Sequence, residues 1–228
     1  MQRYSTKAII LRRVNYSEAD RVITFLTPTH GKIAVIAKGV RRVKSRLAGG
    51  IELFSESEVT IVEGKGSLDI LASARLKKYY KNIVSDYSRV TAGYQVIKYV
   101  NQLTEDDAGS EFYDLLLDSF EALDELKISI GLVEAWYKLN ILKLMGSEPD
   151  LTSDNAKHKL VEGETYSFDF REGTFSPDKK GNIKSTHIKT WRLLLANQPA
   201  KVSKVKGASE AVDESLEVLN KLYNHQLN

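Results

Sequence analysis

The hydrophobic period of this chain changes once, and that change restricts the fold more than any other feature. Between residues 4 and 76 apolar side chains alternate with polar ones as in half-buried strands; from Ser85 they recur every third or fourth position, as in helices. A first strand runs from about Ser5 to Arg13. A second, Arg21 to Thr27, sets Val22, Thr24 and Leu26 against Ile23 and Phe25, and Pro28-Thr29-His30-Gly31 turns the chain into a third strand, Lys32 to Lys38. Gly39 opens an irregular stretch rich in Arg and Lys that closes at Gly49-Gly50. A fourth strand lies near Ser57 to Val62, Gly64-Lys65-Gly66 makes a hairpin turn, and Leu68, Ile70, Ala72, Ala74 and Leu76 mark a fifth strand with a two-residue period.

Five short strands in about 75 residues suit a small, partly open barrel of the oligonucleotide-binding type. The helical part carries three stripes: Tyr87, Val90, Tyr94, Ile97 and Tyr99-Val100; then Phe112, Leu115, Leu116, Phe120 and Leu123; then Ile130, Val133, Trp136, Tyr137, Ile141 and Leu144. Thr104 to Ser110 reads as an acidic linker, and Gly146 and Pro149 end the third helix. Helices are expected again at Thr186 to Asn197 and Ser209 to Asn224. The expected class is α+β, strands first: a barrel domain over residues 1–80, then a helical bundle domain over 81–228 with a polar, hairpin-containing insertion at about 147–184.

Charge is distributed unevenly. The net charge is +3, yet residues 1–49 hold eleven Lys or Arg against Glu18 and Asp20, a local balance of +9, and the rest of the chain balances at −6. Such asymmetry points the first part at a polyanion. With no cysteine, disulfides, thiolate metal sites and cysteine nucleophiles are excluded, and a reducing compartment is the expectation. No apolar run reaches the roughly 18 residues of a membrane span, and the start of the chain lacks a signal-peptide core, so a cytoplasmic protein is expected.

Catalytic signatures are missing. There is no phosphate loop and no nucleophile elbow, and His30, His158, His187 and His225 are scattered without metal-ligand spacing. Glu105-Asp106-Asp107 reads as a solvated linker, and Asp169 as the outward side of a strand. No enzyme activity, metal or cofactor is expected. The informative constellation is Lys38-Gly39-Val40-Arg41-Arg42-Val43-Lys44-Ser45-Arg46, with five cations in nine residues and no acid. Cations that displace condensed counterions bind nucleic acid with a salt slope near −0.7 per contact on single strands, so five contacts imply roughly a hundredfold loss between 50 and 200 mM salt. Arg12, Arg13, Arg21 and Lys32, brought together by the barrel, are expected to extend the same face. Tyr4, Tyr16 and Phe25 are aromatic candidates for stacking, with Phe25 better suited to the core.

These segments resemble the bacterial recombination mediator RecO family. The resemblance runs through Lys7 to Arg13 (KAIILRR), Tyr16 to Arg21 (YSEADR), Thr27 to Lys32 (TPTHGK), Ala37 to Arg46 (AKGVRRVKSR), Glu52 to Ser55 (ELFS) and Gly66 to Asp69 (GSLD), and is diffuse in the helices. It implies an oligonucleotide-binding barrel before a helical domain, binding of single- and double-stranded DNA, and annealing of complementary strands. It also implies work with RecR to load RecA onto DNA coated by single-stranded-DNA-binding protein, and a bacterial, nucleoid-associated location. The groove for the coating protein's acidic, aromatic-ended tail would lie among the bundle helices, with Lys138, Lys143, Lys189 and Arg192 as nominees.

The chain departs from the family in two places. Many members carry a four-cysteine zinc module after the segment Leu144 to Leu151; here a metal-free hairpin packed by Tyr166, Phe168, Phe170 and Phe175 is expected instead. Many also continue into a basic tail beyond Leu222 to Asn228, so contacts of that tail do not transfer. Two other readings fit the same basic barrel: an adaptor that docks an acidic protein tail, and an RNA-binding factor.

Overall fold

The computed structural model describes residues 2–64, 66, 68–105 and 108–227. The turn expected at Gly64-Lys65-Gly66 and the acidic run Glu105-Asp106-Asp107, with the linker around it, fall partly on Lys65, Asp106 and Asp107, which lie outside the described residues. Five strands form a barrel in the order β1-β2-β3-β5-β4: β1 (Arg3–Asn15), β2 (Arg21–Thr27), β3 (Gly31–Ala37), β4 (Ser55–Val62) and β5 (Asp69–Tyr79). β1 is long enough to serve two neighbours, since Arg3 to Ile9 pair with β4 and Ile9 to Asn15 with β2. Closure is thin, resting on the parallel pairs Val35–Asp69 and Ile36–Ile70 of β3 and β5. Ala8, Ile10, Ile23, Phe25, Val35, Ala37, Val59, Ile61 and Leu71 fill the interior.

Register shifts on β1 and β5 change which side chains face inward. On β5 the expected alternation fails at Ala72: Thr60 pairs with Ser73 but Ile61 with Leu71, so Ala72 is an extra residue. Leu71 and Ala74 therefore face the core, three positions apart, while Ala72 and Leu76 are exposed. A bulge adds one residue and reverses the alternation beyond it. On β1 the same happens at Leu11, between the pairs Ile10–Phe25 and Arg12–Thr24, so Arg12 faces outward and Arg13 lies on the core side.

The chain divides into two compact units, 1–124 and 125–228. In the first, α1 (Lys81–Val84), α2 (Tyr87–Leu103) and α3 (Ser110–Asp124) accompany the barrel. Asp86 caps α2 by accepting from the Arg89 amide at 2.9 Å. The buried face of α2 is Arg89, Gly93, Val96, Ile97 and Val100, one residue round from the expected stripe, leaving Tyr87 and Tyr94 87% and 49% exposed. The cause is two residues without apolar character. Arg89 donates to the Leu123 carbonyl at 2.6 Å, and Gly93 makes room for Phe54, whose ring a Cβ would meet at 2.5 Å. Phe54 holds φ 54° and packs edge-on to Tyr94 and Phe120. On α3, Tyr113 donates to Glu56 of β4 at 2.8 Å; burial, then that bond, push its phenol well above the ordinary tyrosine range.

The second unit contains α4 (Ile130–Leu144), β6 (Thr165–Asp169), β7 (Thr174–Pro177), β8 (Ile183–Lys184), α5 (Ser185–Ala196), α6 (Pro199–Val202) and α7 (Ala208–Leu227). Ser129 caps α4, which is buried on most sides. The hairpin packs as expected through aromatic rings: Phe168 lies 4.9 Å from Phe175 and 5.3 Å from Phe170, and Tyr166 lies 6.2 Å from Phe175. Trp191 of α5 closes this cluster and donates its indole N–H to Ser215 of α7 at 3.0 Å. No described helix is long and apolar enough to cross a membrane.

Candidate nucleic-acid interface

The stretch between β3 and β4 is pinned to the barrel at both ends and in the middle. Val40 and Ile51 belong to the barrel core, with Leu47 and Leu53 packed against it. Burying these apolar side chains forces the charged residues between them outward, and Lys38, Arg41, Arg42, Lys44 and Arg46 are all exposed. At the near end Gly39 adopts φ 66°, a left-handed conformation that glycine takes without a steric penalty, and its amide donates to the Asp20 carboxylate at 2.7 Å. The Arg41 amide donates to the Ala19 carbonyl at 3.0 Å and its guanidinium to the Ser17 carbonyl at 2.9 Å. At the far end the Arg13 guanidinium donates to the Ile51 carbonyl at 2.9 Å. The loop is thus a framed cationic surface.

None of the five loop cations lies within ion-pair distance of a carboxylate among the described residues. The β5 cations differ. Arg75 and Lys77 both pair with Glu58, and Lys78 with Glu121 at 2.9 Å. Hydrogen bonds from Arg75 and then Lys77 hold the Glu58 carboxyl below its usual range.

The four strand cations do not form one face with the loop. Arg12 is exposed on the outward side of β1. Arg13, one residue on, lies on the core side with its charge half-buried beside Glu52 at 3.4 Å. Arg21 donates to the Asn15 side chain at 3.1 Å, closing the β1–β2 turn. Lys32 stands at the far end of β3, roughly 20 Å of strand from Lys38, and its ammonium binds the Asn101 and Thr104 carbonyls at the end of α2. An alternating strand separates neighbours onto two faces, which counting cations along the sequence does not register. Phe25 is a core residue and Tyr4 stacks on His30 at 4.1 Å, whereas Tyr16 is open to solvent.

In the second unit, Lys143 and Arg192 line one cleft of about 590 Å³ together with Pro149, Leu151 and Leu195. Arg192 is steadied by the Leu151 carbonyl, which its Nε reaches at 2.6 Å. On the rim, the Thr152 and Ser153 hydroxyls hold the Asp150 carboxyl well below the ordinary carboxylate range. Lys189 pairs with Glu162 at 2.5 Å, away from that lining. Lys138 corrects the expectation of a groove residue: it is 5% exposed, bonded to Glu134 and Asn220 and set over the Tyr223 ring, so it braces α4 against α7. Among the described residues no group of three or more His, Cys, Asp or Glu could hold a metal ion.

Asp20, Val40, Leu47 and Ile51 were not singled out by sequence, although signals for them exist. Asp20 is one of two acids in the basic first 49 residues, and the apolar residues interrupt an otherwise polar loop.

A closed five-stranded barrel with a framed cationic loop, followed by helices, defines an oligonucleotide-binding-type module joined to a helical domain. Comparison with known proteins narrows this class. Residues 1–80 match the family model "Recombination protein O N terminal" and residues 84–228 match "Recombination protein O C terminal". The chain belongs to the RecO family. It is similar to the DNA repair protein RecO of Dehalococcoides mccartyi (28% identity, covering 92% of this chain and 85% of that protein) and of Roseiflexus sp. RS-1 (31%, 93% and 78%). The RecO protein of Bifidobacterium longum subsp. infantis is 35% identical over 66% of this chain and 64% of its own length. These relationships place the chain in DNA repair and recombination.

Proposed function

We propose that the chain is a non-enzymatic recombination mediator that holds DNA on the loop Lys38–Arg46. It anneals complementary strands and, with RecR, helps RecA load onto single-stranded DNA coated by single-stranded-DNA-binding protein, in the cytoplasm at the nucleoid. The observation that carries this reading is the framed loop with five exposed cations that have no carboxylate within ion-pair distance among the described residues. Phosphates that meet such cations release counterions without first breaking an ion pair. Exchange between polyanion-bound states needs many weak, salt-sensitive contacts, and no bond is made or broken.

The coating protein's acidic, aromatic-ended tail fits the cleft beside Lys143 and Arg192, where Pro149, Leu151 and Leu195 offer an apolar floor next to two cations. Lys189, paired with Glu162 away from the cleft, and the buried Lys138 are not part of this arrangement.

The test is fluorescence anisotropy of a labelled single strand with wild type and with Arg41, Arg42, Lys44 and Arg46 changed to alanine. Affinity should fall with the variant and should rise with strand length for wild type. Equal affinities would remove the reading, and a length-independent, saturable site would favour the adaptor that docks an acidic peptide. A strand-annealing assay then separates a mediator from a passive binder.

A further inference from the structure

The outward side of β1, β2 and β3 carries a feature that a phosphate grip leaves unused. Val14 pairs with Val22, and Val22 with Ile36, so these side chains form one cross-strand row, and all three remain at least partly exposed. Arg12 precedes Val14 on the same face of β1, and Lys38 is the next outward position after Ile36. Tyr16 follows two residues after Val14, at the start of the β1–β2 turn, and is 66% exposed. An apolar cross-strand row, an open aromatic ring two residues along the chain from it, and cations near both have the chemistry to receive a nucleobase and its flanking phosphates.

The turn that bears Tyr16 is stiff and shares a frame with the basic loop. The Tyr16 amide donates to the Asp20 carbonyl at 3.1 Å, and the Asp20 amide donates to the Ser17 hydroxyl oxygen at 3.2 Å. The carboxylate of the same Asp20 holds Gly39 at 2.7 Å. The backbone segments that carry the ring and the cations are therefore tied together before any strand arrives, which lowers the ordering cost of binding.

We propose that Tyr16, with the Val14–Val22–Ile36 row, is a stacking subsite for an unpaired nucleobase whose phosphates lie on the loop Lys38–Arg46. The proposal rests on the DNA-binding reading and adds to it a source of preference for single strands: phosphates are common to both forms, whereas a base in a duplex is not free to stack on a side chain.

The test compares full-length wild type, Tyr16→Ala and Tyr16→Trp on three labelled probes: an oligothymidylate, an abasic strand of equal length and a duplex. Tyr16→Ala should weaken oligothymidylate binding roughly five- to hundredfold, change the other two by under about twofold, and leave the salt slope intact. Tyr16→Trp should restore binding. Unchanged affinity for oligothymidylate, or equal losses on all three probes, would overturn the subsite while leaving the phosphate grip in place. Wild type failing to bind any probe would overturn the DNA-binding reading and the subsite with it.

Discussion

Two stretches of the barrel are rich in cations, Lys38 to Arg46 and Arg75 to Lys78, and their partners differ. In the second, Arg75 and Lys77 face Glu58 across the sheet and Lys78 reaches Glu121. In the first, the carboxylate of Asp20 binds a backbone amide, and among the described residues no carboxylate lies within ion-pair distance of the side-chain charges. A cation already paired gains little from a phosphate, because the incoming contact replaces an existing one. Local charge density in the sequence is thus a poor guide to binding; what matters is whether a carboxylate has been placed opposite each cation.

That contrast is open to direct challenge. Changing Arg41, Arg42, Lys44 and Arg46 to alanine should lower single-strand affinity on the order of a hundredfold at low salt, measured by anisotropy. Asp20→Ala should lower it about tenfold although it removes a negative charge, because Gly39 loses its anchor and the loop pays ordering entropy on binding. Asp20→Asn keeps an acceptor oxygen and should bind at least as well as wild type; a gain with alanine instead would mean that Asp20 acts only through its charge. Glu58→Gln should strengthen DNA binding by about two- to threefold by releasing Arg75 and Lys77, and no gain would show that this face lies outside the path of the strand. Arg75→Ala with Lys77→Ala should change affinity by under about twofold, and a loss as large as that of the loop variant would erase the distinction between the two stretches.

Much of the architecture was legible in the sequence because one hydrophobic period was uninterrupted for long enough to be read. The expected bounds of β2, Arg21 and Thr27, are the observed ones, because five residues alternate there and a Pro-Thr-His-Gly turn follows. The failures have identifiable physical causes. The bulge at Ala72 reverses the alternation of β5, and a bulge has no reliable mark in local composition. On α2 the buried face includes Arg89 and Gly93, whose places depend on the Leu123 carbonyl and the Phe54 ring, both distant in sequence.

The candidate site was legible as a charged segment but not as a shape. All five loop cations are where a ligand can reach them. Among the four strand cations Arg12 is exposed, while Arg13, Arg21 and Lys32 are partly buried and hydrogen-bond to Ile51, Asn15 and the end of α2. Lys138 shows the same limit in the helical unit. A lysine on a helix reads as surface until its neighbours, here Glu134, Asn220 and Tyr223, are known.

The most direct test of the central claim is the salt dependence of single-strand affinity. Plotted as log K against log salt concentration, wild type should be steeper than the variant with Arg41, Arg42, Lys44 and Arg46 replaced by about 0.7 for each phosphate contact removed. The Arg75 and Lys77 double variant should match wild type. Parallel lines for wild type and the loop variant would contradict the account, because the loop would then hold no phosphates.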